Sequence, residues 1–304
     1  MLEIFGKTRI DFVGKRYLFF TLSGVLVSLG LFALVQISRG AANLGIDFAG
    51  GAAVQLRFDR PVRIDEARRV LEKNGIRDAE LQQFTGGDRL LVRMKHQEIT
   101  GGLADQLAKV LGSEIPDSHP LVESSTEIGP TVGEKLRRDA VVAVAVSVGA
   151  IVVYIAMRFE LRFGVAAAIA TFHDVLAVLG AFYLMNKEIN LLILTALLTL
   201  GGYSLTDTVV VFDRIRENLR ARRREPLEEV INAGINQVLS RTAVVSLTVF
   251  LVLVALFFWG GEVIHDFALA LILGVIVGTY SSWFVASPLL LIWRKTQGRL
   301  LRRA

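Results

Sequence analysis

A chain of 304 residues with 53% hydrophobic residues and a mean hydropathy of +0.51 is too apolar for an ordinary soluble protein. Its basic excess (net charge +5) is distributed in alternate segments between apolar runs, which excludes a nucleic-acid surface as the reason for that charge. The absence of cysteine excludes a disulfide framework, a thiolate zinc site and an iron–sulfur cluster.

Six runs are long and apolar enough to cross a bilayer, where about 20 residues span ~30 Å of hydrocarbon. They cover residues 17–37, 140–157, 163–185, 190–212, 242–259 and 267–292. The first is longer than the ~7–15 apolar residues of a cleaved signal, and Ser38-Arg39-Gly40 is a poor cleavage site, so it is read as an uncleaved anchor. Residues 38–138 then hold 15 basic and 15 acidic side chains, a polar segment long enough for one small domain. Within it, alternation at Ala52, Val54, Leu56 and Phe58 predicts a strand, and apolar positions 64, 67, 70 and 71 predict a helix ending near Asn74-Gly75. Strands 79–84 and 89–94 flank Gly86-Gly87 as a hairpin, a helix covers 103–111, and a strand at 121–128 closes the segment. The order β-α-β-β-α-β predicts a ferredoxin-like α/β domain. After Pro226, apolar residues at 227, 230, 231, 235, 238 and 239 form a helical stripe that either lies along the membrane surface or leads into the fifth span.

Of the 34 Lys and Arg residues, 18 fall in segments 1–16, 158–162, 213–241 and 293–304, whereas segments 186–189 and 260–266 hold only Lys187. Positive charge marks the cytoplasmic side. The predicted organisation is therefore a cytoplasmic N-terminus (1–16), span one (17–37), an external domain (38–138), spans two to six (139–293) with a basic cytoplasmic loop (213–241), and a cytoplasmic C-terminus (294–304). The fold class is an all-α membrane bundle of six helices carrying one external ferredoxin-like domain.

The chemistry lies in the spans. Asp207 is an acid inside the fourth, where a charge costs about 2.5–3.5 kcal/mol on insertion scales and is usually functional. A carboxyl that is neutral in one state and ionised in another is what a proton carrier requires. Arg241, at the start of the fifth apolar run, is the expected partner; the competing reading has Arg241 snorkelling to the interface and Asp207 in a static buried bond. Asp213 and Arg214 read as boundary charges. His173 and Asp174 fall near the middle of the third span and, ~100° apart on a helix, are expected to meet different neighbours. Either they join a proton path with Asp207 or they only fix packing. Thr206, Thr208, Ser246 and Thr248 can supply interhelical hydrogen bonds. Gly274 and Gly278, followed by Ser281 and Ser282, make a small-residue face suited to close helix packing. No GxxxxGK[ST], HExxH or GxSxG motif is present, and His96, His119 and His265 are scattered. No nucleotide, cofactor or metal is therefore expected, no enzymatic activity is predicted, and the transmembrane potential is the available energy source.

Five strings in this order are similar to those of the SecF family of bacterial protein-export subunits: GIDFAGG at 45–51, FHDV at 172–175, GYSLTDTVVVFDRIREN at 202–218, Ser240-Arg241-Thr242, and GVIVGTYSSWFVA at 274–286. The resemblance spans the chain. It implies six spans, a large external domain after the first, and membership of the proton-driven resistance-nodulation-division superfamily. It also implies a partner SecD, association with the SecYEG channel in the bacterial inner membrane, and work on unfolded exported polypeptide at the outer side, with room for further small membrane subunits. By the same resemblance Asp207 and Arg241 fall on the family's intramembrane acid and base, and His173 and Asp174 on its third-span motif. Thr206 stands where the family often has Asn, and Val245 and Val249 replace hydroxyl residues beside Arg241. A passive scaffold holding SecD beside the channel is the alternative. A small-molecule exporter of the superfamily is disfavoured by six spans rather than about twelve, and a membrane enzyme by the lack of a nucleophile–base set.

Overall fold

The computed structural model describes residues 8–76, 79–84, 86–95 and 102–292; the ends of both predicted cytoplasmic termini (1–7 and 293–304) and His96 lie outside the described residues. The chain divides into two compact units, one of residues 44–143 with 188–191 and the other of the remainder.

The smaller unit holds a short helix α2 (Ile46–Ala49), β1 (Gly51–Arg57), α3 (Ile64–Lys73), β2 (Ala79–Gln83), β3 (Arg89–Lys95), α4 (Leu103–Glu114) and β4 (Leu121–Ile128). Its four strands form one antiparallel sheet in the order β2-β3-β1-β4, with Val54 opposite Val92 at the centre. Alternation decides which face is covered. Val54 and Leu56 of β1 and Leu90, Val92 and Met94 of β3 point to one side, where they meet Ala67, Val70 and Leu71 of α3 and Leu107 and Leu111 of α4. The opposite face carries the charged partners of the same strands, including Arg57, Arg89 and Glu123. The strand and helix order is the one the periodicity predicts.

The larger unit is helical. Among the described residues six helices are long and apolar enough to cross a membrane: α1 (Arg16–Ser38), α5 (Pro130–Arg158), α6 (Leu161–Leu184), α7 (Leu191–Ala221), α8 (Leu227–Trp259) and α9, which runs from Glu262–Ser281 through a π-helical turn (Ser282–Ala286) to Ile292. Helices α6 and α7 are the most enclosed, and α1, α5 and α8 show long apolar faces such as Val146, Val153, Met157, Leu251 and Phe258 to the outside. Such faces suit hydrocarbon, not water. The amphipathic stripe after Pro226 is the first part of α8, so it leads straight into the fifth span rather than forming a separate surface helix.

At the end bearing the basic loop, Phe212 packs edge to face on Phe159 (6.2 Å) and Phe163 (5.3 Å), which stack on each other at 6.3 Å, beside Ile215, Ile231 and Ile235. The segment before α1 is held there by two side chains one helical turn apart. Asn232 Oδ1 accepts the amides of Phe12 and Val13 (3.0 Å each), and Asn236 accepts from Ile10 N and donates to Ile10 O (2.9 Å each). The Gly14 backbone amide and the Asn232 amide both donate to Asp11, and together they hold its carboxyl below the ordinary aspartate range.

Candidate functional site: a polar seam inside the helical bundle

The seam is organised by four consecutive hydroxyl residues of α9, Thr279 to Ser282. Successive positions on a helix differ by ~100°, so four in a row point around the full circle, and each finds a different helix. Thr279 Oγ1 donates to Ser246 Oγ of α8 at 2.8 Å. The Tyr280 hydroxyl reaches α1, donating to Phe19 O at 3.0 Å and lying 2.5 Å from Ser23 Oγ. Ser281 Oγ donates to Asp174 Oδ2 of α6 at 2.8 Å, and Ser282 Oγ is 2.9 Å from Thr208 Oγ1 of α7. The π turn begins at the last of these residues, and Ser287 Oγ satisfies the Ser282 carbonyl at 2.8 Å. Single π turns are common where a helix is adjusted for function.

Two acids sit on this seam in different states of satisfaction. Asp174 is fully buried and accepts from Ser204 of α7 and Ser281 of α9 at Oδ2, while Oδ1 lies 2.8 Å from His173 Nδ1. The expectation that His173 and Asp174 meet different neighbours is therefore corrected. The backbone sets their Cβ directions ~100° apart, but Asp174 turns toward the α7–α9 side and the imidazole turns back onto it. With Asp174 as the acceptor Nδ1 is the donor, and the buried Nε2 has no partner among the described residues.

Asp207 is 6% exposed, and its Oδ2 has no hydrogen-bond partner among the described residues. The Ser246 hydroxyl of α8 is the side chain that interacts with this carboxyl. Ser246 in turn accepts from Thr279 and from Tyr203 (3.3 Å), which leaves its own proton for the acid. The result is a short hydroxyl relay ending on a carboxyl with one unsatisfied oxygen, an arrangement able to take up or release a proton.

Arg241 is not brought to Asp207. It is exposed on α8, and the described residues form no ion pair between them. The reason is helical phase: residues 241 and 246 are five apart, or ~140° around the axis, and α8 turns Ser246 inward. Of the supporting polar residues, Thr208 and Ser246 are buried and bond across helices. Thr206 and Thr248 are exposed and bond back to Gly202 O (3.0 Å) and Val245 O (2.7 Å) of their own helices. Gly274 and Gly278 face α7: a Cβ on Gly274 would lie 2.5 Å from Leu200 Cδ1, and one on Gly278 would lie 3.2 Å from Ser204 Cβ. Ser23, Tyr203, Ser204, Thr279 and Tyr280 were not expected at the seam. Ser204 alone carried a signal, standing three residues before Asp207 and four before Thr208, on the same helical face.

Residues 111–296 match the family described as "Protein export membrane protein SecD/SecF, C-terminal", and residues 42–62 match the "SecD/SecF GG Motif". The chain is 53% identical over 297 residues to the protein translocase subunit SecF of Thermodesulfovibrio yellowstonii, covering 97% of this chain and 98% of that one. It is 42% identical over 302 residues to the SecF of Endomicrobium trichonymphae, covering 98% and 96% respectively. Among solved structures, the translocon-associated SecDF of Thermus thermophilus superposes with a TM-score of 0.84 at 39% identity, over 95% of this chain and 39% of that longer one.

Proposed function

The chain belongs to the SecF protein-export family, and from that premise we propose that it acts with a SecD partner to couple the proton motive force to late movement or release of exported polypeptides. The single chain named SecDF in Thermus thermophilus, of which this one matches 39%, supports association with a separate SecD here. SecYEG and the unfolded polypeptide are the remaining proposed partners. In this reading the bundle spans the bacterial inner membrane with both termini cytoplasmic, and the four-stranded unit is the external, ferredoxin-like domain.

The observation that carries the proposal is Asp207, a buried intramembrane carboxyl with one oxygen unpartnered and the other side served by a hydroxyl relay. A static structural acid would be satisfied as Asp174 is. Asp207 is therefore the proton-exchanging group, with Ser246 positioning it and Thr208 holding α7 on α9. His173 and Asp174 belong to the same seam, His173 Nε2 being a second site where a proton can land. Arg241 keeps its coupling role in a different form. It stands exposed at the basic end of the fifth span, where a polar group of the partner meets it in the assembled complex.

Proton influx into vesicles that contain the chain with its SecD partner, with unfolded polypeptide added on the side of the four-stranded unit, tests this. Asp207→Asn abolishes the influx at matched assembly. Equal influx and equal export in wild type and variant would leave the passive scaffold as the function.

A further inference from the structure

The smaller unit contains four residues distant in sequence from its sheet, residues 188–191, and the way they are held gives the 44–51 segment a purpose. Leu44 and Ile189 form a parallel bridge, and Gly45 N donates to Ile189 O at 2.9 Å. Two residues on, Asp47 Oδ2 accepts the amide of Leu191, the first residue of α7, at 3.0 Å. An aspartate from elsewhere in the chain thus supplies the anionic cap that α7 needs at its positive end. From the sheet, Arg93 Nη1 of β3 reaches Glu188 Oε2 at 2.8 Å, where Glu188 is 9% exposed.

The two end glycines of the motif close this arrangement into a ring. A Cβ on Gly45 would stand 2.4 Å from Glu188 Oε1 and 2.7 Å from Asn190 Cβ. Gly51 has φ +139°, and a Cβ there would stand 2.1 Å from Met94 O of β3. The chain therefore passes from 188–191 to Gly45 and Asp47, through α2 to Gly51 on β3, and from Arg93 of β3 back to Glu188. Burial pushes the Glu188 carboxyl above the ordinary glutamate range despite Arg93 and Lys95.

We propose that this ring is a mechanical joint that ties the start of α7 to β3, with Asp47, Arg93 and Glu188 as its positioning residues. The inference rests on the proton-coupling role of Asp207. Asp207 lies about 16 residues along α7 from Leu191, or ~24 Å of continuous helix. A shift of that helix when Asp207 changes charge is delivered to the sheet through the Asp47 cap and the Glu188 ion pair.

The test uses the full chain with SecD in vesicles, reading proton influx and polypeptide movement separately at matched assembly. Arg93→Glu, Glu188→Arg and Asp47→Ala are expected to keep Asp207-dependent influx but reduce polypeptide movement about 5-fold or more, the scale of a lost coupling. The swap Arg93→Glu with Glu188→Arg, and Asp47→Asn, which can still cap, restore most of it. Amide exchange at Leu191 speeds up in Asp47→Ala and not in Asp47→Asn. Single variants that move polypeptide as wild type does, a swap as inactive as its singles, or an unchanged Leu191 amide would overturn the joint. Unchanged influx in Asp207→Asn would instead overturn the proton-coupling role on which it rests.

Discussion

The two buried acids are expected to separate cleanly when each is neutralised. Asp174→Ala removes the acceptor for two interhelical hydrogen bonds, from Ser204 and Ser281, and for His173. Interhelical hydrogen bonds in membranes contribute about 0.6 kcal/mol on average and ~1.7 at most. Ser281 has a fallback acceptor, Gly278 O at 3.1 Å, so the loss falls mainly on Ser204 and on His173 Nδ1. Together this gives about 1–3 kcal/mol of lost stability. Asp207→Asn keeps an oxygen for the Ser246 donor and removes a charge whose second oxygen had no partner, so stability changes by less than ~1 kcal/mol. The assay is reversible unfolding in mixed micelles for both variants, with a double-mutant cycle between Asp174→Ala and Ser204→Ala expected to show about 0.6–1.7 kcal/mol of coupling. Additive behaviour in that cycle, or an Asp207→Asn variant as unstable as Asp174→Ala, would refute the division into a structural acid and an exchanging one.

The remaining expectations concern other parts of the molecule. Asn232→Ala strands the amides of Phe12 and Val13 and is expected to cost about 1–2 kcal/mol locally, read as faster exchange of those two amides. Gly278→Val presses on Ser204, the donor to Asp174, and overpacking there is expected to cost about 1–3 kcal/mol in the same unfolding assay, with Gly278→Ala milder. The pH response of the smaller unit is set in part by Glu188, which faces Arg93, Lys95, Glu80 and Asp47. Its carboxyl binds a proton more tightly folded than unfolded, so its contribution is most favourable below the unfolded value of 4.5 and is lost as pH rises through the raised folded value. Amide exchange of β3 measured against pH shows that loss in wild type and a flatter profile in Glu188→Gln.

Much of the fold was legible because length and periodicity are local properties. Six long apolar runs and a β-α-β-β-α-β order follow from spacing alone, whereas sheet order needs pairings that no single strand encodes. The seam was harder. Thr279, Tyr280, Ser281 and Ser282 are small hydroxyl residues of a kind that packs helices anywhere, and their meaning comes from the helices standing around them. His173 and Asp174 were legible as residues of interest but not as a pair, since rotamers rather than backbone phase bring them together.

Arg241 is the instructive case, because spacing alone does not redirect it. The apolar stripe read at 227, 230, 231, 235, 238 and 239 continues at helical spacing through Thr242 and Ser246, both buried, and on to Leu253. Arg241, three residues after 238 and eleven after 230, falls at the edge of the same stripe, so spacing alone does not separate it from Ser246. The packing of α8 makes the choice: Ser246 is buried and Arg241 is exposed. Charge complementarity names residues that would gain by meeting, but tertiary packing decides which of them can. In this bundle the acid lies inside and the base on the exposed side of α8, so among the described residues the acid's surroundings are hydroxyl groups rather than the arginine.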